Sequence, residues 1–126
     1  MIVVDSSALI AILTGEPLGP ACLAVMEHSE LIMSAATLTE ALIVSIARGR
    51  DQALVGLIEA ADIEMVSHSA QLAYLSGEAF RQWGKGRHFA SLNYGDCCAY
   101  ALAKNRDCPL LFVGNDFSRT DILSVL

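Results

Sequence analysis

Four short apolar runs, at residues 1–4, 31–33, 63–66 and 109–113, constrain this chain more than any other feature. Each is strand-sized and mostly apolar; the first three are followed by helical composition and the fourth ends in Gly114-Asn115-Asp116. The helical stretches cover residues 7–13 and roughly 17–28 (parted by Gly15-Glu16-Pro17), 35–47, 51–61, 69–82 and 95–105. Ser34 is placed to cap the third of them, and Gly49 to end it with Arg48 and Arg50 near its carboxyl end. Strands alternating with helices predict an α/β fold, a parallel sheet with helices on both faces. At 126 residues one core suffices, so the expectation is a single domain over residues 1–126. In open sheets of this kind ligands gather beyond the carboxyl ends of the strands, where Asp5 and Asp116 both fall.

A membrane span needs about 20 apolar residues. The longest candidates stop sooner, residues 6–15 at Glu16 and residues 31–39 at Glu40. The first run meets Asp5 without a basic stretch, so no signal peptide is read there and the expected location is the cytoplasm. Cys22, Cys97, Cys98 and Cys108 lack CxxC spacing, which predicts reduced core thiols and no zinc site.

Four acids stand out. Asp5 directly follows the first run and is either a helix cap or a ligand, with the Ser6 and Ser7 hydroxyls beside it to cap or to hold a metal-bound water. Glu40 shares its helical face with Ala36, Ile43, Val44 and Ala47, and a carboxylate on an apolar stripe must be paired, protonated or metal-bound. Asp96 lies in the first turn of the helix opened by Asn93-Tyr94-Gly95, on the side of Ala99, Tyr100 and Ala103. Asp116 belongs to the Gly114-Asn115-Asp116 turn after the last run, and Asp121 reads as another cap. A parallel sheet can bring the first four to one mouth. Together they could not all stay ionised unaided. A hard divalent cation resolves that conflict, and oxygen-only ligands suit Mg²⁺ or Mn²⁺, ions fitted to phosphodiester hydrolysis.

The formal charge of −6 argues against a broad nucleic-acid-binding face. Yet three of the eight basic residues fall in the eight-residue stretch Arg81 to His88. Lys85, Arg87 and His88 therefore form a candidate rim for a substrate backbone, with Trp83 and His88 as stacking faces for unpaired bases.

Four segments resemble the motifs of the PIN-domain ribonucleases, and specifically the VapC toxins of toxin–antitoxin pairs. Residues 2–9, Ile-Val-Val-Asp-Ser-Ser-Ala-Leu, are similar to the family's first-strand motif, and residues 34–41 to its second-acid helix. Gly84-Lys85-Gly86-Arg87-His88 followed by Leu92-Asn93-Tyr94-Gly95-Asp96-Cys97 resembles a motif of one subgroup, and residues 110–117 resemble the closing acidic motif. Phe89 and Ser91 depart from it, standing where Pro and Gly are expected. The resemblance implies a three-layer α/β/α domain with Asp5, Glu40, Asp96 and Asp116 as the acidic quartet. Asp5 and Asp96 would be the firmest ligands, with Ser7 and Asn115 as supporting hydroxyl and amide. It also implies an endoribonuclease that uses Mg²⁺ or Mn²⁺ and leaves 5′-phosphate and 3′-hydroxyl ends. A homodimer is implied as well, and a VapB-type antitoxin that blocks the acidic mouth.

Rival readings have less support. A phosphoacceptor domain needs paired acids near the first strand and a lysine after a late one; Asp5 is followed by serines, and nothing basic follows Phe112 until Arg119. A haloacid-dehalogenase-like phosphatase needs Asp where Ser7 stands. A catalytically silent PIN-like binding domain is the remaining alternative.

Overall fold

The computed structural model describes all 126 residues. Four parallel strands form one sheet: β1 (Ile2–Val4), β2 (Leu31–Ser34), β3 (Glu64–Val66) and β4 (Leu110–Leu111), in the order β3-β2-β1-β4. Six helices connect them: α1 (Ser6–Leu13), α2 (Gly19–Glu27), α3 (Ala35–Ala47), α4 (Asp51–Ala60), α5 (Ala70–Trp83) and α6 (Tyr94–Arg106).

Strand alternation assigns the layers. Ile2, Val4, Leu31, Met33 and Leu111 point into a core shared with Ala8, Leu9, Cys22, Met26, Ala41 and Leu54, so α1–α4 cover that face. Val3, Ile32 and Leu110 point the other way, into a core built from Leu72 and Ala79 of α5 and the inner residues of α6. The three-layer α/β/α architecture follows. No helix is long and apolar enough to cross a membrane.

Helix starts follow cap chemistry. Asp5, Ser34, Ser69 and Asn93 each accept a backbone N–H of the turn they open. Gly49, at φ +67°, takes the left-handed conformation that ends α3. Cys97 and Cys98 are buried free thiols, as expected of core residues.

The last strand is shorter than its apolar run. Val113 donates its N–H to Ser7 Oγ at 3.0 Å, outside the ladder, so the chain leaves the sheet after Leu111. The exposed side of β4 is then covered by the C-terminal segment, through Leu110 N to Leu123 O (2.9 Å) and Val125 N to Leu110 O (3.3 Å).

The order of the strands fixes where a site can form. The chain steps outward from β1 to β3, then crosses to the far side of β1 to make β4. The crevice between β1 and β4 is a topological switch point, where helices on adjacent strands diverge and leave the strand ends open.

Candidate active site

Asp5 emerges from β1 into that crevice. It caps α1, and its Oδ2 accepts from Ser7 N (3.1 Å) and Ser7 Oγ (2.6 Å). Ser7 Oγ in turn accepts from Val113 N, so one hydroxyl ties the Asp5 carboxylate to the end of β4. Only 3% of Asp5 is exposed, and its Oδ1 is buried without a hydrogen-bond partner. Burial pushes this carboxyl from 3.8 up to about 6, with Glu40's charge adding to the rise and the Ser7 bonds opposing it.

Asp96 is the third residue of α6. It forms a reciprocal capping box with Asn93: Asn93 N donates to Asp96 Oδ2 (3.0 Å), and Asp96 N donates to Asn93 Oδ1 (2.9 Å). It is 6% exposed. Burial raises it to about 7, reinforced by the charges of Asp116, Asp5 and Glu40 and opposed by the Asn93 backbone bond.

Glu40 reaches the same mouth from α3. Its Oε1 accepts from Ser6 Oγ at 2.7 Å. Its other oxygen lies against Gly95, where a Cβ would overlap it. A residue with no side chain in the first turn of α6 is what lets the Glu40 carboxylate approach Asp96. The expected apolar stripe around Glu40 is not a core face, however. Thr37, Ala41 and Ser45 make that face, while Ile43 is 64% exposed and lines a cleft of about 290 Å³ with Ala36, Thr39, Glu40, Val44 and Tyr94. Glu40 is half-buried because it sits at the junction of the two surfaces.

Asp116 is exposed in the loop after β4, anchored by the next residue: Phe117 is 2% exposed and packs on Phe112 with ring centroids 5.0 Å apart. Asn115 is exposed too. Its backbone carbonyl, not its amide, is engaged, accepting from Ser118 N (3.3 Å) and Ser118 Oγ (2.7 Å).

No basic residue neutralises this mouth. The chain has two ion pairs, Arg81–Glu78 and Lys104–Asp121, and neither involves the four acids. Asp121 is not a cap: its Oδ1 accepts from Tyr100 Oη (2.6 Å) and its Oδ2 pairs with Lys104 (3.1 Å).

The loop at residues 84–92 begins beside the mouth and is closed at its base by Lys85 N to Leu92 O and Leu92 N to Trp83 O, both 3.0 Å. Lys85 and Arg87 are exposed and unpaired. Trp83 does not offer a face to bases. It is half-buried, donates from Nε1 to Tyr100 Oη (3.0 Å) and packs edge-on against His88, centroids 4.8 Å apart. The His88 ring is likewise built into the loop, with Nδ1 accepting from Ala90 N (2.9 Å). Ser91, where the resemblance expects Gly, has φ +61°, the left-handed conformation that favours glycine.

The PIN-domain family model matches residues 2–123. The chain belongs to the PIN-domain family. It is similar to the ribonuclease VapC30 of Mycobacterium tuberculosis, 41% identical over 127 residues that span 98% of this chain and 97% of that one. The fold is similar to the Mycobacterium tuberculosis VapC20 toxin, described as cleaving the sarcin–ricin loop (TM-score 0.79, 16% identity, 99% and 98% coverage). It is also similar to a chain of a toxin–antitoxin complex from Klebsiella pneumoniae (TM-score 0.73, 16% identity, 96% and 93% coverage).

The PIN-domain mouth fits a hard divalent cation. Asp5 Oδ1 is a buried, orphaned oxygen of a kind that costs free energy unless something binds it. Every candidate donor is oxygen, which suits Mg²⁺ or Mn²⁺. The acids converge without forming a cage: no three of the chain's His, Cys, Asp and Glu side chains are grouped closely enough to hold an ion between them. Asp5 and Asp96 each commit one oxygen to a helix cap, and uncompensated like charges resist closer approach. Gly95's role escaped sequence reasoning, as did Arg119, whose Nη1 donates to Phe89 O at 3.1 Å. Gly95 had a signal, being the one residue without a side chain next to Asp96. Arg119 had none, since its partner lies 30 residues away.

Proposed function

We propose that this PIN domain is the endoribonuclease toxin of a toxin–antitoxin pair, hydrolysing RNA phosphodiester bonds with Mg²⁺ or Mn²⁺ held by Asp5, Glu40, Asp96 and Asp116. The observation that carries this reading is the buried, partnerless Asp5 Oδ1 in a mouth of four acids without a basic neighbour. The 41% identity to a VapC ribonuclease supports the choice of RNA.

When bound, a divalent cation supplies charge neutralisation at the phosphate and activation of water. The chain's own residues prepare for it. Ser7 fixes Asp5 and leaves Oδ1 free; Asn93 fixes Asp96 through the capping box; Ser6 and the bare Gly95 backbone orient Glu40. Asp96, raised to about 7 by burial and by the neighbouring acids, would be held in its ionised form by a cation at the mouth. Lys85, Arg87 and an edge of His88 receive the RNA backbone, while Asn115 steadies the Asp116 turn.

Likeness to chains of toxin–antitoxin complexes, two of them VapBC complexes, supports a VapB-type antitoxin as the partner. By the family resemblance that antitoxin occludes the acidic mouth, and the toxin assembles as a homodimer and as a hetero-oligomer with it. The test is incubation with structured RNA in Mn²⁺, in Mg²⁺ and in chelator. Cleavage is expected only with metal, and cleavage surviving in an Asp5→Ala, Asp96→Ala double variant rules the assignment out.

A further inference from the structure

With Trp83 turned into the core, the exposed aromatic on the rim is a residue that departs from the family motif. Phe89 stands where Pro is expected and is 69% exposed. It is nonetheless held in place. His88 stacks on it with centroids 4.5 Å apart and planes 23° apart, and the Arg119 guanidinium lies 5.2 Å from its centroid while donating to its carbonyl. Arg119 has no carboxylate partner, so its other N–H groups remain available. Lys85 and Arg87 share the 84–92 loop with Phe89 and Arg119 lies over its ring, so three of the eight basic residues belong to this rim in a chain of net charge −6. A ring that stays 69% exposed with His88 stacked on it and the Arg119 guanidinium over it keeps surface for an unpaired base, with the guanidinium at hand for its phosphate. Both segments run into the mouth, Phe89 seven residues before Asp96 and Arg119 three after Asp116.

We infer that Phe89 and Arg119 form a clamp for one unpaired nucleotide of the RNA strand entering the acidic mouth, the base stacking on Phe89 and the phosphate held by Arg119. The clamp selects unpaired segments, because a paired base cannot leave its stack to reach the ring at equal cost. It deepens the ribonuclease reading and rests on it.

The experiment is anisotropy of a fluorescein-labelled single-stranded oligoribonucleotide with the full chain. Ca²⁺ neutralises the mouth, and a matched RNA duplex is the comparison. Phe89→Ala and Phe89→Leu are expected to weaken single-strand binding by about five- to a hundredfold, with Phe89→Trp restoring it. Arg119→Gln is expected to weaken binding and to reduce the salt slope by about 0.7, the signature of one lost phosphate contact, while Arg119→Lys keeps the slope. Circular dichroism melts establish that each variant is folded. Full single-strand affinity in a folded Phe89→Leu, or an unchanged salt slope in Arg119→Gln, overturns the clamp. Wild-type cleavage in Mn²⁺ alongside such a result would leave the nuclease reading intact, whereas wild-type protein that neither binds nor cleaves RNA overturns both.

Discussion

Asp5→Asn is expected to make the metal-free protein more stable while removing its affinity for Mn²⁺. The wild-type carboxyl is raised from 3.8 to about 6, chiefly by burial. At neutral pH that corresponds to a cost of about 3 kcal/mol for keeping it ionised in the folded chain. An amide removes the charge and still accepts from Ser7, but its new N–H takes the place of the orphaned Oδ1 and recovers no partner, at a cost of about 1–2 kcal/mol. The net gain is about 1–2 kcal/mol, and at about 4 °C per kcal/mol for a chain of this length the midpoint rises by about 4–8 °C. The same logic fixes the pH dependence of the wild type. Asp5 and Asp96 are raised to about 6 and about 7, so between about pH 4 and 7 the folded state binds more protons than the unfolded one. Stability of the metal-free protein therefore rises as pH falls from 7.5 to 5.5. Asp121, held low first by the Tyr100 hydroxyl and then by Lys104, works in the opposite sense, but only below about pH 4. Urea unfolding in EDTA at the two pH values, repeated in Mn²⁺, measures both effects. Saturating Mn²⁺ flattens the pH dependence and reverses the ranking of wild type and Asp5→Asn. A wild type whose metal-free stability is flat or falls between pH 7.5 and 5.5, or an Asp5→Asn variant less stable in EDTA at pH 7.5, refutes the reasoning.

Ser7→Ala removes the hydroxyl that joins Asp5 to Val113, so it is expected to cost about 1–3 kcal/mol by denaturant unfolding. Mn²⁺ affinity, read by calorimetry, should fall about 10–100-fold. Gly95→Ala is expected to push the Glu40 carboxylate out of the mouth and weaken Mn²⁺ binding about tenfold, a loss of the size seen when a ligand's supporting contact is removed. The shorter Glu40→Asp in the same chain should restore part of it, and unchanged calorimetry in Gly95→Ala would remove Glu40 from the ligand set. Ser91→Gly relieves a left-handed backbone at φ +61°, a strain of about 1–2 kcal/mol, against about 0.5–1 kcal/mol of added unfolded-state entropy. Thermal melts are expected to show a net gain of about 0.5–1 kcal/mol.

The acids were legible because topology does most of the placing. Asp5 ends β1 and Asp116 follows β4, and two strands that are neighbours in a parallel sheet deliver their carboxyl ends to the same crevice. Asp96 was legible from its place in the first turn after Asn93-Tyr94-Gly95, on the side of Ala99, Tyr100 and Ala103, and the helix is buried on every side from Gly95 to Ala103. The capping box that fixes its carboxylate became visible only in the structure. The surroundings of Glu40 were not legible. On α3 the apolar residues flank the whole helix, and periodicity cannot say which side α1 and α6 cover; burial chose Thr37, Ala41 and Ser45 and left Ile43 outside. The basic stretch misled in the same way. Trp83 and His88 have the chemistry of a stacking platform, but an indole N–H needs a partner when half-buried, and Tyr100, 17 residues on, supplies it. That one bond turns the ring inward and leaves Phe89 as the exposed face. Local pattern located the residues that end or begin elements; contacts between distant segments decided which of their neighbours remain free to touch a substrate.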